Sequence, residues 1–117
     1  MPTFNSDGVT LAYIDQSETV TRPIPVLLIH GFASNIDMNW VATGWVKDLS
    51  AAGYRVAAID NRGHGASDKL YVPEAYSREI MAEDARRLLD HLGISKAHVI
   101  GYSMGARVAA TLALAHP

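Results

Sequence analysis

Three short motifs carry the side chains with chemical potential: His30-Gly31-Phe32, Asp60-Asn61-Arg62-Gly63-His64-Gly65-Ala66-Ser67, and Gly101-Tyr102-Ser103-Met104-Gly105. The last is the most specific. A serine in a G-x-S-x-G pattern suits a sharp strand-to-helix turn, where only small flanking residues leave the backbone room to double back. Gly101 and Gly105 supply that room. The turn lifts the Ser103 hydroxyl into the open at a helix N-terminus, whose free N–H groups and dipole favour negative charge. That arrangement suits attack by serine on an acyl carbon. The bland alternative is a glycine-flanked serine in an ordinary connection. It is weakened by the apolar run before the motif and the alanine-rich run after it.

The elements that must position these motifs follow from hydrophobic periodicity. Asp7-Gly8 is a hairpin signal between Thr3-Phe4 and Val9–Ile14. Val9, Leu11 and Tyr13 alternate with Thr10 and Ala12, as in a half-exposed strand. Val26–Ile29, Arg55–Ile59 and Ala97–Tyr102 are apolar without alternation, as in strands buried on both faces. Trp40 to Leu49 reads as a helix closed by Gly53. Ser77 caps a helix running to about Leu92, with Ile80, Met81, Ala85, Leu88, Leu89 and Leu92 at helical spacing and Gly93 at its end. Met104–Ala115 is a last helix. Alternating strands and helices argue for an α/β fold with a largely parallel sheet. All three motifs follow strand ends, the edge where open α/β sheets build their sites.

Bulk properties narrow the classes. The 117 residues form at most one modest domain, 49% hydrophobic and 19% charged, with net charge −2. Neither nucleic-acid binding nor acidic disorder fits that balance. There is no cysteine, so neither disulfide nor thiolate chemistry is available. The N-terminus lacks the pattern of a signal peptide, and no apolar run is long enough for a membrane span, so a cytoplasmic location is expected. A phosphate loop is weakly supported, since the turn holds no lysine and the chain has no G-x-x-x-x-G-K-[ST].

The chain resembles the α/β-hydrolase family over nearly its whole length, from the first hairpin to the helix behind Ser103. The resemblance implies the sheet order 1-2-4-3-5. It makes Ser103 the nucleophile and the backbone amides of Phe32 and Met104 the oxyanion donors, with His30, Gly31, Gly101 and Gly105 in support. It implies an esterase-type serine hydrolase acting on carboxylic esters or related acyl substrates, without metal or cofactor. It sets the chain apart from relatives with an aspartate nucleophile, such as epoxide hydrolases and haloalkane dehalogenases. Asp37, Trp40 and Tyr102 are candidates for the substrate pocket, although the tryptophans can equally pack helix against sheet. The Asp60–Ser67 segment becomes a bracing loop, with Asp60 and Arg62 free to pair with each other and His64 bonded to backbone rather than acting as a base.

The same resemblance implies a triad ordered serine, acid, histidine. No residue after Ser103 fits that order. His116 lies thirteen residues along a helix, roughly 20 Å away. His98 lies five residues back along a strand, roughly 16 Å away. His91 closes a helix. The expectation is therefore a single partial domain over residues 1–117, truncated after the last helix and inactive alone, with the strand at 97–102 exposed as an edge. A second polypeptide, or a second copy paired through that edge, would complete it, unless the chain is a fragment of a longer enzyme. The rival class is a non-catalytic half that binds a partner or a small ligand.

Overall fold

A computed structural model describes all residues, Met1–Pro117. Strands β1 (Thr3–Ser6) and β2 (Val9–Gln16) form the first hairpin, with Asp7 and Gly8 both at positive φ in its turn. Then come β3 (Val26–Ile29), a π-helical turn (Asp37–Val41), α1 (Trp45–Ala51) and β4 (Val56–Ile59). A 3-10 turn (Pro73–Tyr76), α2 (Arg78–His91), β5 (His98–Gly101) and α3 (Met104–Ala115) complete the chain. The five strands form one sheet in the order β1-β2-β4-β3-β5, as the resemblance implied. Pairing is antiparallel from β1 to β4 and parallel from there to β5. No helix is long and apolar enough to cross a membrane.

Alternation along β3 explains how both faces are filled. Leu27 and Ile29 point to one face, where Met81, Ala85 and Leu88 of α2 and Val108 and Leu112 of α3 pack. Val26 and Leu28 point to the other, against Trp40 and Val46. Each fully buried aliphatic side chain of this kind contributes about 1.5–3 kcal/mol.

Three expectations need correction. The stretch from Trp40 to Leu49 is not one helix. Gly44 sits at φ 89°, a left-handed conformation that glycine adopts without strain, and it separates the π-helical turn from α1. Strand β2 is buried on both faces, at Leu11 on one and at Ala12 and Ile14 on the other, where Ile14 joins the core around Trp40. The loop after β4 runs beside it, with Ser67 Oγ accepting the Ala12 N–H at 2.8 Å and the Asp68 N–H donating to the Thr10 carbonyl at 2.9 Å. Strand β5 pairs only with β3, at the edge expected of it, so despite its apolar run His98 is exposed and Val99 and Ile100 are half-buried.

Nor do Asp60 and Arg62 pair with each other. The Asp60 carboxylate accepts the N–H groups of Ile36 and Ala66, at 2.9 and 3.0 Å. Arg62 makes a bidentate contact to Asp84 on α2, at 2.7 and 2.8 Å, and also donates to the Ala75 carbonyl. Asp84 is fully buried and accepts from Ser6 Oγ on β1 as well. This bridge ties the loop to two other elements. Replacing Asp84 with alanine would leave a buried guanidinium unpaired, which typically costs 3–5 kcal/mol, on the order of half the stability of a small domain. An unfolding free energy from urea melts of Asp84→Ala within about 1 kcal/mol of the parent would refute this role.

Candidate active site

Register brings the three motifs together. Ile29 stands opposite Ile59 on one side and Gly101 on the other, so the chain leaves β3, β4 and β5 at the same level. The Tyr102 N–H extends the ladder by one bond, to the Ile29 carbonyl at 3.1 Å. The backbone then reverses at Ser103, with φ 55° and ψ −114°. A non-glycine residue held there carries strain of about 1–3 kcal/mol, a feature common at functional sites.

Two close approaches enforce the turn. A Cβ on Gly101 would run into the Gly105 carbonyl and lie 2.5 Å from the Ala106 nitrogen. One on Gly105 would run into the Ile29 carbonyl and lie 2.5 Å from the His30 oxygen. Ser103 is exposed, and its hydroxyl bonds to no other residue. Met104 opens α3, so its N–H has no partner inside the helix.

The turn after β3 lies directly against Ser103. A Cβ on Gly31 would sit 3.5 Å from the Ser103 Cβ and 3.0 Å from the Tyr102 ring. Asn39 Oδ1 accepts the Gly31 N–H at 2.8 Å, and the Ser34 N–H closes the turn on the Gly31 carbonyl. The Phe32 N–H has no backbone acceptor, and its side chain is 76% exposed. Two amides without acceptors, from Phe32 and Met104, thus belong to turns that meet at Ser103. Beside them is a cavity of about 470 Å³, lined by Phe32, Ala33, Gly63, His64, Tyr76, Met81 and Met104. A larger hollow, about 760 Å³, lies beside the start of β5 and includes none of these residues.

The pocket candidates fall elsewhere. Trp40 is buried against Trp45 in an edge-to-face pair, the packing role rather than the pocket one. Asp37 is exposed on the π-helical turn and lines none of this cavity. Tyr102 is exposed and packs over Gly31. Asn39, which holds the Gly31 amide, carried no sequence signal because no spacing rule marks it.

All five histidines are accounted for, and none reaches Ser103. His116 pairs with Glu83 at 2.8 Å. His91 meets Tyr13, and His98 packs edge-on to Tyr54. His64 Nε2 accepts the Ala33 N–H at 3.0 Å, while its Nδ1 lies 3.0 Å from the Arg62 carbonyl. His30 is fully buried; its Nε2 accepts the Asn61 N–H at 2.9 Å, and its Nδ1 faces the Gly31 carbonyl at 2.7 Å.

Burial pushes the His30 imidazole below its ordinary value of 6.5, against the opposing pull of its bond to Gly31. The folded state thus resists a proton that the unfolded state takes up. Stability is fully present above pH 6.5 and declines as pH falls from there toward the folded-state value. Urea melts at pH 7.5 and 5.5 should show lower stability at the acid end, and equal midpoints would count against a neutral, buried His30.

The model of the alpha/beta hydrolase fold matches residues 24–117. Epoxide hydrolase B of Mycobacterium tuberculosis is 41% identical over 95 residues, which are 79% of this chain and 25% of that protein. A 2-hydroxy-6-oxononadienedioate/2-hydroxy-6-oxononatrienedioate hydrolase of Cupriavidus pinatubonensis is 37% identical over 118 residues, 95% of this chain and 38% of the relative. Among solved structures, an N-acyl homoserine lactone degrading enzyme superposes with a TM-score of 0.81 at 32% identity, covering 99% of this chain and 41% of its own. The chain therefore spans between a quarter and two fifths of the length of these relatives. An epoxide hydrolase among them runs against the expected separation from that group: the likeness follows the shared scaffold, of which position 103 is one residue.

Proposed function

We propose a function from one plain fact: the chain belongs to the alpha/beta hydrolase fold family. On that scaffold, the residue presented at the turn after β5 selects the chemistry. Here it is Ser103, and the protein acts as a serine hydrolase on carboxylic esters or related acyl substrates. The observation that carries this reading is the exposed, strained serine, wedged between two close glycine contacts and against Gly31.

Ser103 Oγ attacks the acyl carbonyl, and its proton passes to a base. The carbonyl oxygen gains negative charge and is received by the N–H groups of Phe32 and Met104. Loss of one such donor typically costs about 100- to 1,000-fold in rate. The base returns that proton to the alcohol as it leaves. Water, giving a proton to the same base, then attacks the acyl–serine ester, and the proton goes back to Ser103 Oγ as the acid departs. The base and its acid partner belong to the part of the fold that this chain does not span, since its own histidines are engaged elsewhere. The apolar wall of Phe32, Met81 and Met104 favours an uncharged acyl group.

Two substrates separate this reading from that of an epoxide hydrolase. A carboxylate nucleophile opens an epoxide directly, whereas a hydroxyl needs a polarised acyl carbon. The intact protein is expected to hydrolyse p-nitrophenyl acetate or butyrate and to leave styrene oxide untouched. Turnover of the epoxide without the esters would reverse the assignment.

A further inference from the structure

His30 and His64 are bound in a reciprocal way. His30, on the turn after β3, takes an N–H from Asn61 on the loop after β4. His64, on that loop, takes an N–H from Ala33 on the turn after β3. In each ring Nε2 receives a backbone proton and must therefore offer a lone pair, so the ring proton sits on Nδ1 and is donated to a carbonyl, Gly31 or Arg62. The rings lie 5.1 Å apart, and His64 meets the Phe32 ring edge-on at 5.9 Å. Two neutral imidazoles thus stitch two loops together.

The second stitch falls on a strained residue. Ala33 has φ 60°, a left-handed conformation costly for alanine, and it directly follows Phe32. Its N–H has no other acceptor. With that bond gone, the Phe32–Ala33 peptide would lose its one hydrogen bond, and the peptide carrying the Phe32 N–H would be held only through the Gly31 carbonyl, by the Ser34 N–H and His30 Nδ1. A phenyl or alkyl side chain at position 64 could fill the same space but could not accept the proton.

We infer that His64 is a positioning residue: by accepting the Ala33 N–H it acts with the two bonds on the Gly31 carbonyl to fix the direction of the Phe32 amide toward the space beside Ser103. This rests on the reading of Ser103 and Phe32 given above. It separates His64 from a simple loop support, because its effect should appear in turnover even where folding is intact.

The test compares His64→Leu with His64→Gln in the intact protein, using a p-nitrophenyl ester and a melting curve for each variant. Glutamine reaches about as far as Nε2 and offers a carboxamide oxygen; leucine offers nothing. Expected for leucine is a kcat lower by about 10- to 100-fold with KM nearly unchanged, since a misdirected donor harms the transition state more than the bound substrate. Expected for glutamine is recovery to within about fivefold of the parent. A well-folded leucine variant with parental kcat would overturn the proposal, and so would a glutamine variant as slow as leucine. Should the leucine variant fail to fold, the comparison of glutamine with the parent still decides, joined by the nuclear magnetic coupling between the Ala33 nitrogen and His64 Nε2 across their hydrogen bond. Absence of that coupling in the parent would also overturn it. Failure of the serine-hydrolase reading looks different: the parent itself would show no ester turnover, whatever stands at position 64.

Discussion

Ser103→Ala is expected to lower ester turnover by at least about 10⁴-fold while leaving the unfolding midpoint unchanged. The two halves of this expectation have separate causes. The hydroxyl bonds to no other residue, so removing it leaves no buried partner unsatisfied. Alanine keeps the Cβ, and with it the same strained φ of 55°, so the turn is neither relieved nor worsened. What disappears is the atom that forms the acyl bond. The Phe32 and Met104 amides remain and can still polarise a bound ester, which is why some residual rate survives. A fluorophosphonate probe gives the same answer by a second route, because it marks only an activated serine. Turnover within tenfold of the parent would place the nucleophile elsewhere.

Gly105→Ala should also slow turnover, though by less, without touching a reacting atom. Inside a helix, glycine to alanine ordinarily gains about 1 kcal/mol from helix propensity. Here the new methyl would meet the backbone of Ile29 and His30 at the end of β3, neither of which can rotate away. Overpacking of this sort costs about 1–3 kcal/mol or more, so sterics should outweigh propensity and stability should fall. Helix α3 would have to draw back from β3, carrying Ser103 and Met104 with it. A displacement near 1 Å costs on the order of 100-fold in rate. The sign of the stability change decides the matter: a stabilised Gly105→Ala protein would mean that α3 has slack at its N-terminus.

Much of this was legible in the chain. The G-x-S-x-G spacing, the apolar strands and Ser77 placed β3, β4 and α2 within a residue or two, because each rests on a local rule. The bounds of α3 came directly from the switch in period at Ser103. The misreadings share one cause, which is that partners distant in sequence overrode local pattern. Arg62, on the loop after β4, finds Asp84 on α2 rather than its neighbour Asp60. Ala12 is covered by Ser67, and Trp40 turns inward to Ile14, Val26 and Val56. That His64 bonds to backbone was expected, but neither its partner nor the role of Asn39 was, because a backbone amide has no side-chain identity for a sequence to display. The split at Gly44 was visible only as a glycine, which a helix can also tolerate.

The Ser6–Asp84–Arg62 bridge also governs the order of assembly. Its members are separated by 78 and 22 positions, so the first hairpin, the loop after β4 and α2 must meet before the carboxylate is paired. Chain closure of that length is unfavourable until long-range contacts reward it, which sets the bridge on the native side of the folding barrier. Interactions formed that late slow unfolding and scarcely alter the folding rate. Asp84 then determines how long the loop carrying His64 stays seated rather than how quickly it arrives. In a chevron plot its loss should raise the unfolding arm alone, and a lowered folding arm would mean that the three segments meet earlier.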